Sequence, residues 1–382
     1  MRAAIFDCYD DYEIRVKFVK KYLEKTGYET EIFFSDFDHM KKHKTEKKRD
    51  GVNYIAVMPY KRNLSAERLL SHFLFAKKCR KIAENENFDL IYCIVPPNSL
   101  VNEFGKFKEK NSGTKLIFDV CDLWPETFPS GKAKKLLALP FAVWRSFRKK
   151  RLDKADSVVA ECELFAEKLQ CEVSGKEKTD VLYLCKEKPQ KGFEPERRET
   201  IGRNILYLGS INNIIDCDVI VKFMEEMKKL CNSALYIIGD GENRENLLRK
   251  LDNAGIETHY FGVVYDEEKK LQIKNKCAFG LNIMKKDVCV GLTMKSIDYF
   301  SAGLPVINNI KGDTTHLVED LGTGFNICND DDNSIKECAE KAAQITDEEL
   351  LKMKEDTLKM FDTLFSNEAF EKKLAGIIEK IK

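Results

Sequence analysis

Strand-like apolar runs alternate with amphipathic helical segments along most of the chain, and this alternation limits the fold more than any other feature. The chain opens with an apolar run at 3–6, an amphipathic helical pattern over 12–26 that ends at Gly27, and a second apolar run at 29–34. A strand–helix–strand order of this kind predicts a parallel sheet with right-handed crossovers. The predicted fold class is therefore α/β.

The same alternation restarts after one polar, charged segment. Residues 186–203 contain two prolines and a glycine and show neither helical nor strand periodicity. A length of 382 residues also favours two domains. We therefore predict a first domain over 1–185, a linker over 186–203, a second domain over 204–365, and a last helix over 366–382 that packs back on the first domain. Both domains are predicted to be doubly wound and to face each other across a cleft at the carboxyl ends of their strands.

Composition excludes several classes of function. The net charge is +1, so no overall basicity favours a nucleic-acid partner. The 13 cysteines are scattered without the spacing of a zinc site, and we interpret them as buried thiols in a reducing cytoplasm. Asp36 and Asp38 form a D-F-D sequence in a loop, where solvated carboxylates are commoner than metal ligands. No metal site and no bound cofactor are predicted.

Residues 132–154 interleave apolar side chains, including Trp144, with many lysines and arginines. One interpretation is a basic amphipathic segment that lies on an anionic membrane surface. The alternative is a helix packed on its own domain with a solvated basic face. Both interpretations stay open at this point.

The sequence V-G-L-T-M-K-S-I-D-Y-F-S-A-G-L-P-V-I spans 290–307 and predicts a short helix between two strands. Thr293 can cap the start of this helix, and Gly303 suits its left-handed end. A helix start above a parallel sheet favours phosphate because its first N–H groups lack partners. Lys295 could then face an anion and Asp298 could accept sugar hydroxyls. The alternative is an ordinary packing helix with a surface Lys295–Asp298 pair.

Glycines mark two further strand ends in the second half of the chain. Gly209 and Ser210 follow one apolar run, and Gly239 and Gly241 follow the next. Glycine allows backbone to approach a ligand closely, although each motif is weak by itself. Because the carboxyl ends of parallel strands meet at one sheet edge, these ends and the 290–307 helix favour a nucleotide-phosphate pocket over unrelated tight turns.

These segments occur in the order and spacing of a known family. The second half contains L-Y-L-G-S (206–210), Y-I-I-G-D-G (236–241), Y-F-G-V-V (260–264), K-S-I-D-Y-F-S-A-G-L-P-V-I (295–307) and T-G-F-N-I (323–327). The first half contains D-L-W-P-E (122–126) after a strand-like run. The chain resembles the family-4 glycosyltransferases of the GT-B fold, in the branch that assembles bacterial capsule, exopolysaccharide and O-antigen.

The resemblance implies that a sugar moves from a nucleotide-sugar donor to a glycan or lipid-linked glycan acceptor, with retention of anomeric configuration and without a metal. It implies a donor site in the second domain, formed by Gly209, Ser210, Gly239, Gly241, Thr293, Met294, Lys295 and Asp298. It places Asp122 near the acceptor hydroxyl as the candidate catalytic group. It also implies a cytoplasmic enzyme, peripheral on the inner face of the cell membrane if the acceptor is a lipid.

The chain departs from the family pattern in three places. Val290 stands where the first of two glutamates is expected, and Cys121 stands where a histidine is common. Asn212 and Asn213 stand where a basic residue often follows the first glycine of the second domain. These departures support an alternative, a catalytically silent GT-B subunit that binds and positions a partner transferase. A third interpretation is a nucleotide-sugar epimerase of the same two-domain shape.

Overall fold

The computed structural model describes residues 1–9, 12–46, 49–127, 138–188, 202–327 and 331–382. The chain forms two compact units: a first unit of Met1–Tyr183 with Phe370–Lys382, and a second unit of Leu184–Ala369. Most of the predicted linker, 189–201, lies outside the described residues. Each unit contains one parallel sheet flanked by helices, so the predicted α/β class is confirmed.

In the first unit, seven of the described strands form one sheet in the order β5-β2-β1-β6-β7-β8-β9, and β3 and β4 form a short antiparallel pair. The strands are β1 (Arg2–Asp7), β2 (Glu29–Ser35), β3 (Phe37–Asp38), β4 (His43–Lys44), β5 (Val52–Ile55), β6 (Leu90–Val95), β7 (Lys115–Val120), β8 (Ser157–Ala160) and β9 (Thr179–Val181). The helices between them are α1 (Glu13–Lys25), α2 (Ala66–Asn85), α3 (Asn98–Lys110), α4 (Ala138–Lys149) and α5 (Glu163–Leu169).

In the second unit, the described strands form a parallel sheet in the order β12-β11-β10-β13-β14-β15. The strands are β10 (Ile205–Leu208), β11 (Leu235–Ile238), β12 (Thr258–Tyr260), β13 (Phe279–Asn282), β14 (Val306–Asn308) and β15 (Gly324–Asn326). The helices are α6 (Cys217–Leu230), α7 (Arg244–Asn253), α8 (Glu267–Lys274), α9 (Met294–Phe300), α10 (Asp313–Leu321), α11 (Asp332–Gln344) and α12 (Asp347–Leu364). The loops that follow β10, β11 and β13 therefore lie at one edge of the sheet.

The last helix, α13 (Asn367–Ile381), belongs to the first unit from Phe370 onward. Its buried stripe consists of Phe370, Leu374, Ile377, Ile378 and Ile381. The Phe370 ring lies 5.8 Å from the ring of Phe18 on α1 and 5.6 Å from the guanidinium carbon of Arg15. Arg15 in turn pairs with Asp119 on β7 at 2.6 Å. The helix thus completes the apolar core on one side of the first sheet.

Two helices, α3 and α12, were not predicted, although both carry apolar residues at helical spacing. In α3 the buried stripe contains Leu100, Phe104 and Phe107. Four polar residues of α3 are also buried, among them Glu103, whose carboxylate accepts from Arg80 Nε at 2.9 Å. In α12, Lys354 is buried and donates to the carbonyl of Cys277 at 2.9 Å. The readable signal for α12 is its capping box, in which Thr346 and Glu349 satisfy each other's backbone N–H groups.

Candidate donor site

Helix α9 begins as the sequence predicts. The hydroxyl of Thr293 accepts from the backbone N–H of Ser296 at 3.2 Å, and Gly303 has φ +58° just beyond the helix. The predicted cap and left-handed residue are therefore confirmed. The helix has only seven residues, however, and its dipole is correspondingly small. An anion bound here would therefore be held mainly by side chains.

A ladder of buried amides holds the cap of α9 in position. Asn282, Asn308 and Asn326 are register partners at the ends of β13, β14 and β15. The amide of Asn282 donates to Asn308 at 2.9 Å, and that of Asn308 donates to Asn326 at 2.8 Å. The Thr293 hydroxyl donates to Asn282 Oδ1 at 3.2 Å. Sequence reasoning missed this ladder, although each of the three strands ends in asparagine.

Lys295 points toward the end of β10, where its amine is buried. Its Nζ atom lies 5.1 Å from the centre of the Tyr207 ring, and its Cδ atom is 4.0 Å from where a Cβ on Gly209 would stand. The residue is half-buried as a whole, but Nζ is shielded from solvent and has no hydrogen-bond partner among the described residues. Burial lowers the pKa of Lys295 to about 7. The amine is therefore desolvated, and none of the described residues supplies it with a counter-charge.

Asp298 faces a different set of groups. Its carboxylate pairs with Lys186, and its backbone carbonyl accepts from Lys274 Nζ at 3.2 Å. Burial lowers the pKa of Lys274 to about 8. The alternative of a surface Lys295–Asp298 pair is therefore wrong. Sequence reasoning also missed Lys186, which lies 112 positions before Asp298.

The glycines at the sheet edge have two different roles. A Cβ on Gly239 would stand 1.9 Å from the carbonyl oxygen of Gly209, and one on Gly241 would stand 2.5 Å from that of Ile211. Gly239 and Gly241 thus allow neighbouring loops to pack backbone against backbone. A Cβ on Gly209 meets only the Lys295 side chain. Of the three glycines, Gly209 is the one that leaves space beside the Lys295 side chain.

The remaining predicted donor residues lie around this centre. Ser210 is exposed, and its carbonyl accepts from the Tyr207 hydroxyl at 2.8 Å. Met294 is 45% exposed at the start of α9. Val290 is half-buried and packs against the core of the second unit. The position where the family places a carboxylate is therefore part of an apolar contact in this chain.

Asp122 lies beyond β7 in the first unit. Its carboxylate accepts from the Thr127 hydroxyl and from the Trp124 side chain, and burial raises the pKa of Asp122. The neighbouring Cys121 is buried, with Sγ 3.7 Å from Asp119 Oδ1. Burial raises the pKa of Cys121 well above its ordinary value, which keeps the thiol neutral. Asp122 is thus partly exposed, whereas Cys121 faces the buried Arg15–Asp119 pair.

Residues 132–137 of the basic segment lie outside the described residues. In the described part, 138–154, several basic side chains form ion pairs within the first unit. Arg145 and Arg148 both pair with Glu126 at 2.7 Å, and Arg148 also pairs with Glu172. The exposed face of α4 carries Leu139, which is 76% exposed, and Val143, which is 53% exposed. Across the described ranges, no helix is both long and apolar enough to cross a bilayer.

The D-F-D carboxylates are occupied by protein donors instead of being solvated. Asp36 Oδ1 accepts from the backbone N–H of Val57 at 2.8 Å and from Lys44. Asp38 Oδ1 accepts from the backbone N–H of Lys41 at 2.8 Å. Within the part of the chain that the structure describes, no group of three or more His, Cys, Asp or Glu side chains is arranged to hold a metal ion.

Residues 202–347 match the family model described as Glycosyl transferases group 1. This segment is similar to that family over somewhat less than half of the chain. It contains every residue of the predicted donor site. No curated protein matches the sequence.

Solved structures resemble the chain over nearly its full length. The lipopolysaccharide outer core galactosyltransferase WaaB, in its apo form, is 14% identical with a TM-score of 0.71 and 99% of both chains covered. Sucrose-phosphate synthase from Thermosynechococcus elongatus is 12% identical with a TM-score of 0.71, covering 100% of this chain and 99% of that one. Anabaena HepE, in complex with UDP and glucose, is 11% identical with a TM-score of 0.66 and 99% of both chains covered. The chain therefore has the GT-B fold, and the prediction of two Rossmann-like domains is confirmed.

Proposed function

We propose that the protein is a retaining glycosyltransferase that moves a sugar from a nucleotide-sugar donor to a glycan or lipid-linked glycan. The group 1 domain and the GT-B fold support the reaction class. The observation that carries the proposal is the buried amine of Lys295, which has no acceptor among the described residues and lies beside Gly209. A diphosphate is the donor group whose charge this amine matches.

The proposed reaction breaks the bond between the sugar C1 and the diphosphate oxygen and forms a bond between C1 and the acceptor oxygen on the same face. The proton of the acceptor hydroxyl passes to the departing diphosphate. Lys295 stabilises the charge that develops on that diphosphate. Asp298 accepts ribose hydroxyls while sharing its carboxylate with Lys186, and Asp122 orients the acceptor hydroxyl. No metal and no cofactor take part in this scheme.

The proposed biological setting is polysaccharide assembly in the cytoplasm, in the capsule, exopolysaccharide and O-antigen branch. Its support is the similarity to a lipopolysaccharide outer core galactosyltransferase, WaaB, together with the motif order in the second unit. An anionic membrane surface is a further proposed partner. The exposed Leu139 and Val143 of α4, followed by exposed Lys149 and Lys150, support that contact.

The test is a panel of UDP-, GDP- and dTDP-sugars followed by thermal unfolding and by slow donor hydrolysis. We expect one nucleotide class to raise the unfolding temperature and its sugar to be released slowly into water. The matched variant Lys295→Met should lose both effects. Absence of stabilisation by every nucleotide, together with absence of hydrolysis, would refute the proposal.

A second candidate is a silent GT-B subunit that positions a partner transferase, which Val290 and Cys121 favour. It predicts no donor hydrolysis and no transfer to any acceptor. An epimerase predicts a third outcome, because it would interconvert free donor sugars without an acceptor. Chromatography of the donor after incubation with the protein alone distinguishes these outcomes.

A further inference from the structure

A buried arginine lies among aromatic rings in the first unit. Arg68 on α2 is only 3% exposed. Its guanidinium carbon lies 4.3 Å from the Trp124 ring centre and 5.7 Å from the ring centres of Tyr9 and Tyr60. Tyr9 and Trp124 follow the carboxyl ends of β1 and β7. The arginine therefore lies at the sheet edge that also carries Asp122, whose carboxylate accepts from the Trp124 side chain.

A second cation, Lys42, lies near the same arginine. Lys42 donates to the side-chain oxygen of Asn63, and Arg68 Nη1 donates to the Asn63 carbonyl at 2.9 Å. The Lys42 amine is also 5.1 Å from the Tyr60 ring centre. Burial and the charge of Arg68 lower the pKa of Lys42. Among the described residues, neither cation forms an ion pair with a carboxylate.

Arg68 and His72 are joined through the Tyr9 hydroxyl. That hydroxyl accepts from Arg68 Nη2 at 3.1 Å and lies 2.6 Å from His72 Nε2. Burial lowers the pKa of His72 well below its ordinary value, so the ring is neutral. Arg68 Nε and His72 Nδ1 have no hydrogen-bond partner in the described parts of the chain.

Burying a cation without a counter-charge is costly, as is burying a donor without an acceptor. The Arg68 cluster consists of Tyr9, Lys42, Tyr60, Arg68, His72 and Trp124. We propose that the Arg68 cluster binds an anionic group, a phosphate or a carboxylate, carried by the sugar acceptor. Its role as an acceptor site depends on the proposed function, whereas the binding of the anion does not.

The cluster suits a charged sugar better than a free inorganic ion. The guanidinium and the amine provide charge-assisted hydrogen bonds to an oxyanion. The partly exposed ring of Trp124 provides an apolar surface for the C–H side of a sugar. Because Trp124 also contacts Asp122, a sugar bound here would be adjacent to the proposed catalytic group. Lys42, Asn63 and Trp124 are each at least partly exposed, which gives a ligand access from solvent.

The experiment titrates the full-length protein with glucose 1-phosphate, glucuronate, inorganic phosphate and glucose at constant ionic strength. Binding is followed by calorimetry and by tryptophan fluorescence, since the chain has only two tryptophans. We expect one of the two charged sugars to bind at least about tenfold more tightly than glucose. Tight binding of glucose 1-phosphate identifies a phosphate site, and tight binding of glucuronate identifies a carboxylate site.

Three variants locate the binding. Lys42→Gln is expected to lower the affinity for the charged sugar about tenfold, and Arg68→Gln is expected to abolish binding of that sugar. Lys41→Gln is the matched control, because Lys41 is a neighbouring lysine whose side chain is 71% exposed and pairs with Asp38. This variant should bind the charged sugar as tightly as the wild type does. If Arg68→Gln does not fold, the half-exposed Lys42 still tests the inference. Equal binding of glucose and both charged sugars, or normal binding by Lys42→Gln, would overturn it.

Failure of this inference and failure of the proposed function give different results. Lys295→Met should keep charged-sugar affinity while losing nucleotide affinity, and Lys42→Gln should do the reverse. A protein that hydrolyses a nucleotide-sugar but does not distinguish glucose from charged sugars overturns the Arg68 inference alone. A protein that binds a charged sugar but no nucleotide overturns the proposed function alone.

Discussion

The amine of Lys295 lies 5.1 Å from the centre of the Tyr207 ring, and none of the described residues offers it a hydrogen-bond acceptor. The negative face of the ring compensates only part of the desolvation that lowers the pKa of this amine to about 7. An incoming diphosphate would supply the missing counter-charge and favour the protonated amine. The pair therefore links anion binding to proton binding in the second unit.

Lys295→Met is expected to weaken binding of the preferred nucleoside diphosphate about 10- to 100-fold, because one charge-assisted hydrogen bond is lost. Calorimetric titration measures the change. Lys276→Met is the control, since Lys276 is exposed and lies near the start of β13, away from the sheet edge that carries Lys295. Equal affinities for the wild type and Lys295→Met would remove this lysine from the donor site.

Nucleotide affinity is expected to fall as pH rises from 7.5 to 9. In the free protein the pKa of Lys295 is about 7, so the amine is largely neutral in this range. The bound diphosphate raises the pKa of the amine, so binding takes up a proton and weakens by up to about tenfold per pH unit. Titrations in two buffers of different ionisation enthalpy measure that uptake. Proton uptake that persists in Lys295→Met would assign it to another group.

Asp298→Ala is expected to weaken nucleotide binding without unfolding the protein. The Asp298–Lys186 pair is partly exposed, with side-chain exposures of 28% and 30%, so its loss should change the free energy of unfolding by less than about 1 kcal/mol. Asp362→Ala, which removes an exposed pair with Lys188, is the matched control. Urea unfolding and nucleotide titration together separate the two effects. A destabilised Asp298→Ala protein with normal nucleotide affinity would show a structural role only.

Alanine at Gly239 should mainly reduce stability, whereas alanine at Gly209 should also reduce nucleotide affinity. Gly239→Ala places Cβ 1.9 Å from a backbone oxygen, so we expect the free energy of unfolding to fall by about 3 kcal/mol or more. A Cβ at Gly209 would contact no backbone atom. The φ of +116° at this residue should nevertheless lower the free energy of unfolding of Gly209→Ala by about 1–3 kcal/mol. Its methyl group would also contact Lys295 and reduce nucleotide affinity. Gly209→Ala with unchanged affinity would contradict the proposed position of the diphosphate.

Contact with anionic liposomes, if α4 makes it, should depend on the exposed side chains of that helix. Leu139→Ser with Val143→Ser removes the apolar part, and Lys149→Gln with Lys150→Gln removes the free charge. Both double variants are expected to reduce liposome cosedimentation, and salt should weaken the binding of the wild type. Arg148 is left unchanged because its ion pairs hold the first unit together. Liposome binding that is unchanged by salt and by all four substitutions would refute the membrane proposal.

The sequence predicts the elements of the donor region better than their contacts. Local rules on caps and turns predict the helix cap at Thr293, the left-handed residue at Gly303 and the glycines that follow the strands. These rules require no knowledge of distant residues. Lys295 and Asp298 face different groups, because Lys295 lies beside Tyr207 and Asp298 pairs with Lys186. Both partners are distant from the helix in sequence. Helical periodicity alone cannot specify such partners.

Buried polar groups account for most of the remaining errors. Glu103 and Lys354 face the interior in helices α3 and α12, and the apolar pattern of those helices does not predict that these charged residues are buried. The asparagine ladder was missed for a related reason, because a buried amide is stable only with partners that the local sequence does not show. Burial of Arg68 among aromatic rings was equally invisible before the fold was known.

The position of α13 also determines the order in which the protein can fold during synthesis. Residues 1–183 leave the ribosome long before Phe370, yet Phe370 packs on Phe18 and Arg15 within that unit. The nascent first unit must therefore wait, with Phe18 and Arg15 of α1 not yet covered by Phe370, while the whole second unit is translated. Fragments that end near residue 183 should accordingly aggregate, whereas adding α13 as a separate peptide should restore their solubility.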